Sequence, residues 1–411
     1  MLRKVLIIED TPTIAKVQKH IASSVGYDVD VATTLESAKR LINDHDYFCA
    51  VVDFVLPDAS NGEAIPYTVK ANIPTIVMTG NLESSTRDTV DKYPVIDYIT
   101  KENKQAYQYL KKQLQRLPRN EQVKVLVVDD SAATRRHISS LLERHKYQVY
   151  VAGDGVEALE TLNQNPDIDV IITDNEMPRM RGEELCAEIR RLYSNDDKAI
   201  IGISGTNNAY LSARFLKSGA NDYLRKPFNP EEFYCRLSQN VDMLENIATI
   251  RRQANTDYLT QLPNRRYFFE HASKLLAINS RQNQSSMLAM IDIDFFKKIN
   301  DQHGHDAGDK VLQSIGECFE KFFQHDLYAR LGGEEFAVLF RSASSTDNMA
   351  QLEQFRLFLE KNSSSLTPYH IPFTVSIGVV DKTIESIDPL IKIADENLYT
   401  AKESGRNQIA S

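Results

Sequence analysis

KVLIIEDTPTIAK at residues 4–16 returns as KVLVVDDSAATRR at 124–136. Three further blocks follow the same order. AVVDF at 50–54 is matched by IITDN at 171–175, IVMTG at 76–80 by IGISG at 201–205, and DYITK at 97–101 by DYLRK at 222–226. The offsets are 120, 121, 125 and 125 residues. They mark a duplicated domain of about 115 residues, since a solenoid would repeat at a much shorter period.

Within each copy, short apolar runs alternate with helical patterns. The second copy reads KVLVV, a helix around ATRRHISSLLERH, QVYVA, the helix VEALETLNQ, VIIT, the helix EELCAEIRRLY, AIIGIS, the helix AYLSARFLKSG, DYLR and a last helix from Pro230. Five such units predict an open, doubly wound parallel sheet with helices on both faces. Ligands of that architecture sit at the carboxyl ends of the strands. Asp129, Asp130, Asp174, Ser204 and Lys226 all follow strands directly, so they converge there. Clustered carboxylates need a hard cation such as Mg²⁺, and one of them can then act as a nucleophile on a phosphoryl group. A nearby lysine and hydroxyl would stabilise the transferred charge. A single aspartate would be read as a helix cap. Five residue types repeated twice in register point to a site.

Composition narrows the function classes. The chain has 411 residues, which suggests roughly three domains. It is 42% hydrophobic and 26% charged, with only 16 Gly and 14 Pro, which excludes a low-complexity chain. A net charge of −9 disfavours nucleic acid as the main partner. MLRKVLIIED lacks the apolar stretch of a signal peptide, and no segment has the run of a membrane span. Cys49, Cys186, Cys235 and Cys318 form no metal-ligand spacing and are expected to be reduced core residues of a cytoplasmic protein.

Each copy resembles a receiver domain of two-component response regulators, over about 1–117 and 122–242. The resemblance implies a flavodoxin-like fold and a sensor histidine kinase or phosphotransfer protein as phosphodonor. It also implies phosphoacceptors Asp53 and Asp174 and Mg²⁺ pockets built from those residues with Glu9, Asp10, Asp129 and Asp130. Thr79 and Ser204 would be the switch hydroxyls, Tyr98 and Tyr223 the coupled aromatics, and Lys101 and Lys226 the lysines. The first copy departs from the pattern. Lys101 precedes Glu102 rather than Pro, Pro94-Val95 replaces Gly-Ala, and DASN lengthens a loop by one residue. These changes bear on its output surface rather than its phosphorylation chemistry.

From Pro230 to about Asn255 nothing breaks a helix. Phe233, Leu237, Val241, Leu244 and Ala248 recur every three or four residues, either as a last receiver helix or as a rod into the next domain, with 243–255 as a helical linker. Residues 256–411 are unrelated to the repeat. MLAMIDID at 287–294 reads as a strand ending in acids, DAGDKVLQSIGECFEKFF at 306–323 as an amphipathic helix, and LYARL and FAVLF as a hairpin around Gly332-Gly333-Glu334-Glu335. FTVSIGVV reads as a strand, and IDPLIKIADENLYTAKESG as a final helix with Gly405 past its end. Asp292, Glu334 and Glu335 would then meet at one sheet edge, suited to Mg²⁺ (or Mn²⁺) and a triphosphate. Lys402 and Arg406, four apart, are expected to share a helix face and bind phosphate oxygens.

DYLTQLPNRRYF (257–268), DIDFFKKINDQHGHDAGD (292–309), RLGGEEF (330–336), VSIGV (375–379) and AKESGRN (401–407) occur in order. Together they resemble the GGDEF family, the diguanylate cyclases. The resemblance implies a palm-like α/β nucleotidyl cyclase fold, GTP as substrate, and a homodimer in which two GTP become cyclic di-GMP and two pyrophosphates. By the same resemblance Asp292, the carbonyl of Ile293 and Glu334 would hold metal, and Glu335 would be a further ligand or the base. Asn300 and Asp309 would read guanine. The backbone of Phe295, Phe296 and Lys297, with Lys402 and Arg406, would bind phosphates. Two alternatives are a silent GGDEF domain that only binds nucleotide or a partner, and a cyclase using ATP. The first is opposed by both glutamates being present, and the second by Asp309, which suits guanine donors that adenine lacks. Many family members carry an inhibitory Arg-x-x-Asp product site five residues ahead of the Gly-Gly-acid motif. Here those positions hold Phe323 and Asp326.

Overall fold

The computed structural model describes residues 3–80, 84–101, 103–205, 209–342 and 344–411. The chain divides into two compact units, residues 1–246 and 247–411. Among the described residues there are three five-stranded sheets.

The first unit holds both copies of the repeat. Strands β1 (Lys4–Ile8), β2 (Asp28–Ala32), β3 (Cys49–Asp53), β4 (Thr75–Thr79) and β5 (Asp97–Thr100) form a parallel sheet in the order β2-β1-β3-β4-β5. Strands β6 (Lys124–Val128), β7 (Gln148–Ala152), β8 (Val170–Asp174), β9 (Ala199–Ser204) and β10 (Asp222–Arg225) repeat that order. The central strands are buried from end to end because helices cover both faces, which is why they read as continuous apolar runs. The lengthened DASN loop of the first copy has a local job. Leu56 and Ala59 pair through their backbones, and the Asp58 carboxylate accepts from the N–H groups of Leu35 (2.8 Å) and Glu36 (3.0 Å). It thereby adds further acceptors at the start of the helix Leu35–Asp44, which Thr34 caps in a box with Ser37. In the second copy Asp154 caps the corresponding helix and is paired with Arg179.

The two receiver-like domains touch along the helix Lys104–Asn120 of the first and the helix Pro230–Asn255 of the second. Arg116 donates to the carbonyl of Ser238 (2.6 Å) and to Asp242 (2.5 Å), and Arg87 pairs with Glu231 (3.2 Å). Exposed pairs such as Arg119–Glu245 add at most about 1 kcal/mol each, so the buried contacts decide the docking. The chief one is His145. Its ring is buried, stacks on Tyr234 at 3.7 Å, and meets the Ile96 carbonyl of the other domain at 3.0 Å through Nε2. A cleft of about 570 Å³ runs beside it, lined by Tyr98, Tyr109, Val95, Arg144 and Cys235 among others. Cys235 is exposed, which corrects the expectation that all four cysteines lie in the core; Cys49, Cys186 and Cys318 are buried.

The helix from Pro230 runs unbroken to Asn255. Phe233, Leu237 and Val241 belong to the receiver core and Leu244 packs at its edge, whereas Ala248 is exposed. The apolar stripe is thus core packing as far as Leu244.

In the second unit, β11 (Ser286–Ile293) is fully buried and antiparallel to both β13 (Glu335–Leu339) and β14 (Val375–Lys382). Strand β12 (Leu327–Gly332) forms the hairpin with β13, and the short β15 (Ile409–Ala410) runs parallel to β14. The helices Phe296–His303, His305–Phe322 and Ser345–Leu366 cover one face with Phe319, Phe323 and Phe355. The helices Arg265–Arg281 and Ile387–Glu403 cover the other with Phe268, Leu276 and Leu398.

Burial, with Arg116 and Arg144 nearby, pushes His145 down to about 3 from an ordinary 6.5. A depressed folded value means that its contribution to stability is complete above pH 6.5 and is lost as pH falls toward 3. Asp97, pushed up to about 6 by burial, acts in the opposite sense between pH 3.8 and 6. The difference between wild type and His145→Gln removes that second effect. We expect the unfolding free energy of the first unit, wild type minus variant, to fall by up to about 1.4 kcal/mol per pH unit below pH 6.5. Denaturant titrations of the full chain at pH 7.5, 6 and 5 check this; a pH-independent difference contradicts it.

Candidate active site and phosphoacceptor sites

In the first receiver-like domain, β1 and β3 are neighbours, so Glu9 and Asp10, just past β1, meet Asp53 at the end of β3. One carboxylate oxygen from each lies within 4.8 Å of the others, and Asp129, Asp130 and Asp174 form the same cluster in the second domain. Lys101 reaches Glu9 (2.7 Å) and Asp53 (2.6 Å); Lys226 reaches Asp129 (2.6 Å) and Asp174 (3.0 Å). The sheet positions each lysine, because its backbone N–H donates to the carbonyl of Thr79 or Ser204 at 2.8 Å. Both hydroxyl residues are buried at the ends of β4 and β9. Burial raises Glu9 and Asp174 above the usual carboxylate range, against the pull of the lysines. Lys226 is held above its usual value by the two aspartates, although burial opposes its charge. The donor set is all oxygen and in need of positive charge, so these residues fit a hard divalent cation.

Tyr98 and Tyr223 lie half-buried on β5 and β10. Tyr223 packs on Phe215 at 5.9 Å. Tyr98 sits under Arg87, which also pairs with Asp91 and with Glu231 at the start of the second domain's last helix. Of the departures, Val95 lines the cleft between the two domains, Pro94 is exposed, and Glu102 lies outside the described residues.

The second unit gathers its candidates at one end of the sheet. The antiparallel register sets Asp292 opposite Glu335. Gly332 (φ +147°) and Gly333 (φ +53°) form the turn between, a conformation that side chains rarely adopt. Burial, with repulsion from Glu334 and Glu335, pushes Asp292 up to about 6 despite its ion pair with Lys402 (2.9 Å), and burial also raises Glu334. These carboxylates fit a divalent cation by the same reasoning. Their oxygens are not drawn into a cluster as tight as those of the receiver-like domains.

Lys402 is ion-paired with Asp292 (2.9 Å). One expectation needs correction here. Arg406 does not share a helix face with Lys402, because the helix ends at Glu403 and the chain turns through Gly405. Arg406 instead lies over the Phe295 ring, 4.4 Å from its centroid. That ring precedes the turn of Phe296 and Lys297, whose N–H groups begin the next helix.

Asn300, on the helix Phe296–His303, packs against Gly308, the residue before Asp309 on the helix His305–Phe322. Gly308 makes this possible, since a Cβ there would lie 1.9 Å from Asn300 Oδ1. That oxygen is buried without a hydrogen-bond partner among the described residues, an acceptor suited to the N–H donors of a guanine edge. The motif survey missed a brace behind the hairpin. Arg330 donates to the Gly333 carbonyl (2.7 and 3.0 Å) and to Asp257 (2.8 Å), which also accepts from Thr260. Asp257 and Thr260 stand in the DYLT block, but nothing local in that block says that it touches the glycine turn.

Comparison with known proteins agrees with this geometry. The family described as diguanylate cyclase, GGDEF domain, matches residues 254–408, and the response regulator receiver domain matches 5–113 and 125–238. Response regulator PleD of Caulobacter vibrioides is 28% identical over 309 residues, 70% of this chain and 65% of its own length. Diguanylate cyclase A of Treponema denticola is 37% identical over 187 residues, 41% of this chain and 50% of its own. The chain therefore spans under two thirds of the length of these curated relatives. A solved two-component response regulator/GGDEF domain protein is 39% identical with a TM-score of 0.54, covering 59% of this chain and 99% of that one. With two receiver matches ahead of a GGDEF match, this chain belongs to the tandem-receiver response regulators that carry a C-terminal GGDEF domain.

Proposed function

We propose that the chain is a diguanylate cyclase whose activity is set by aspartyl phosphorylation and dimerisation. The observation that carries this reading is the crowding of Asp292, Glu334 and Glu335 at one end of the sheet, near enough for both glutamates to raise Asp292, in a domain that also leaves the Asn300 Oδ1 acceptor buried and unpartnered among the described residues. Each GGDEF domain holds one GTP. The 3′-oxygen of one nucleotide attacks the α-phosphorus of the other, the bond to the β-phosphate breaks, and pyrophosphate leaves; repeating the step from the second nucleotide closes the ring. Glu335, exposed at the start of β13, accepts the 3′-hydroxyl proton or serves as a further metal ligand. Asp292, the Ile293 carbonyl and Glu334 would hold Mg²⁺ or Mn²⁺, whose charge would offset that of the phosphates. The pairing of two loaded domains replaces a bimolecular encounter with a positioned one, which makes dimerisation the natural control point.

The receivers supply that control. Asp53 and Asp174 accept a phosphoryl group from a histidine kinase or a phosphotransfer protein, with Glu9, Asp10, Asp129 and Asp130 holding the metal and Lys101 and Lys226 steadying the phosphate. In the first receiver, the contact of Tyr98 and Arg87 with Glu231 gives the switch a direct route to the second receiver's last helix. No helix among the described residues is long and apolar enough to cross a membrane, and we place the protein in the cytoplasm.

Three outcomes are expected. Glu334→Gln and Asp292→Asn should each lower cyclic di-GMP synthesis at least about a hundredfold, with the unfolding midpoint unchanged or raised, since repulsion among the acids is relieved. Near wild-type synthesis by either variant, read by chromatography of the product, rejects the assignment. Beryllofluoride, a phosphoryl mimic, should raise both the dimer fraction in sedimentation and the rate, and the double variant Asp53→Ala/Asp174→Ala should respond in neither.

Product feedback should be weak. Phe323 is fully buried against Phe319 (5.3 Å) and Phe355 (5.1 Å), where a phenyl ring offers none of arginine's planar donors. Asp326 is occupied in accepting from the backbone N–H of Arg341 (3.0 Å). Cyclic di-GMP should therefore inhibit only in competition with GTP; tight non-competitive binding by calorimetry contradicts this.

A further inference from the structure

Asp294 lies two residues past Asp292 and takes no part in the roles assigned above. It is 4% exposed, and its carboxylate accepts three hydrogen bonds, from Ser376 Oγ (2.6 Å), Thr374 Oγ1 (2.7 Å) and the backbone N–H of Asn407 (3.0 Å). From the other side of the same loop, Arg356 donates to the Asn407 carbonyl (3.0 Å) and to its Oδ1 (2.8 Å). Glu353 (2.6 Å) and Glu360 (3.2 Å) hold the Arg356 guanidinium in place.

The loop between these two anchors is unusual. Gly405, Arg406 and Asn407 have φ values of +119°, +65° and +47°. A free chain seldom places arginine and asparagine consecutively in the left-handed region, so the surroundings must impose this shape. The result of the shape is the position of Arg406. Its guanidinium is held against the face of Phe295, itself left-handed at φ +58°, and Lys298 lies over the same ring at 4.4 Å. Two cations are thereby gathered at the turn whose backbone N–H groups open the helix Phe296–His303. Such a helix start favours anionic oxygens.

We propose that Asp294 and Arg356 are positioning residues for the triphosphate. They clamp Asn407 from opposite sides and so fix the backbone next to Arg406, which presents its donors to the phosphates while Asn300 and Asp309 hold the base. The inference rests on the cyclase reading and assigns to this clamp the phosphate end of the nucleotide alone.

The test compares GTP with GMP, which lacks the β- and γ-phosphates. In equilibrium binding to the full chain, using a non-hydrolysable GTP analogue with Mg²⁺, Asp294→Asn should weaken the analogue about tenfold and leave GMP within about twofold. Arg406→Ala should show the same selective loss. In the Arg406→Ala background, Asp294→Asn should add less than about twofold, because both changes remove one interaction. Arg356→Gln acts on the loop from its other side and should reproduce the selective loss even if Asp294→Asn folds poorly. Equal weakening of GTP analogue and GMP, or penalties of Asp294→Asn and Arg406→Ala that multiply, overturns the clamp. A wild-type chain that binds GMP but no GTP analogue also overturns it, whereas one that binds neither nucleotide removes the cyclase reading beneath it.

Discussion

A buried carboxylate at the end of a strand, held by one lysine from another element, recurs in all three domains. Lys101 holds Glu9 and Asp53, Lys226 holds Asp129 and Asp174, and Lys402 holds Asp292. In each case further acids crowd the same spot. Buried ion pairs of this kind add little net stability, since desolvation offsets the attraction, and an apolar set of similar volume would serve the fold equally well. Removing only the lysine would cost about 3–5 kcal/mol, because the carboxylates would be left uncompensated. Such pockets make physical sense as places where positive charge and phosphoryl oxygens are to be received.

Two sheet types reach that arrangement by different routes. In the receivers, parallel strands point their carboxyl ends the same way, so acids that follow β1 and β3, or β6 and β8, converge without any turn between them. In the GGDEF domain the neighbours are antiparallel. The end of β11 therefore meets the start of β13, and the acids depend on the glycine turn that precedes Glu334. The turn is braced by Arg330 and Asp257, whereas the receiver acids are brought together by strand register and held there by Lys101 and Lys226.

Much of this was legible in the sequence, and the reason is local. Strand runs such as KVLVV, helical periodicity from Pro230 to Asn255, and the glycine pair at 332–333 act over a few residues, and each appears where its pattern places it. The repeat supplied the rest for the receivers, because two copies in register separate chemistry from ordinary caps. What could not be read depends on partners distant along the chain. The four-residue spacing of Lys402 and Arg406 implied a shared face, but the helix ends at Glu403 between them, and Arg406 takes its place from Asp294, Arg356 and Phe295, some 50 to 112 residues away. Nothing local marks His145, the last residue of ATRRHISSLLERH, yet its ring is buried and meets the Ile96 carbonyl of the other receiver. Cys235 lies on the apolar-rich last receiver helix but faces outward.

One assay tests cyclase activity and its dependence on dimers together. The purified 411-residue chain is incubated with GTP and Mg²⁺ over a range of protein concentrations, and cyclic di-GMP and pyrophosphate are quantified together. Two pyrophosphates are expected for each cyclic dinucleotide, with a rate per chain that rises with protein concentration as dimers form. No cyclic dinucleotide from GTP, or a rate per chain unaffected by concentration down to levels where sedimentation shows only monomers, would contradict it.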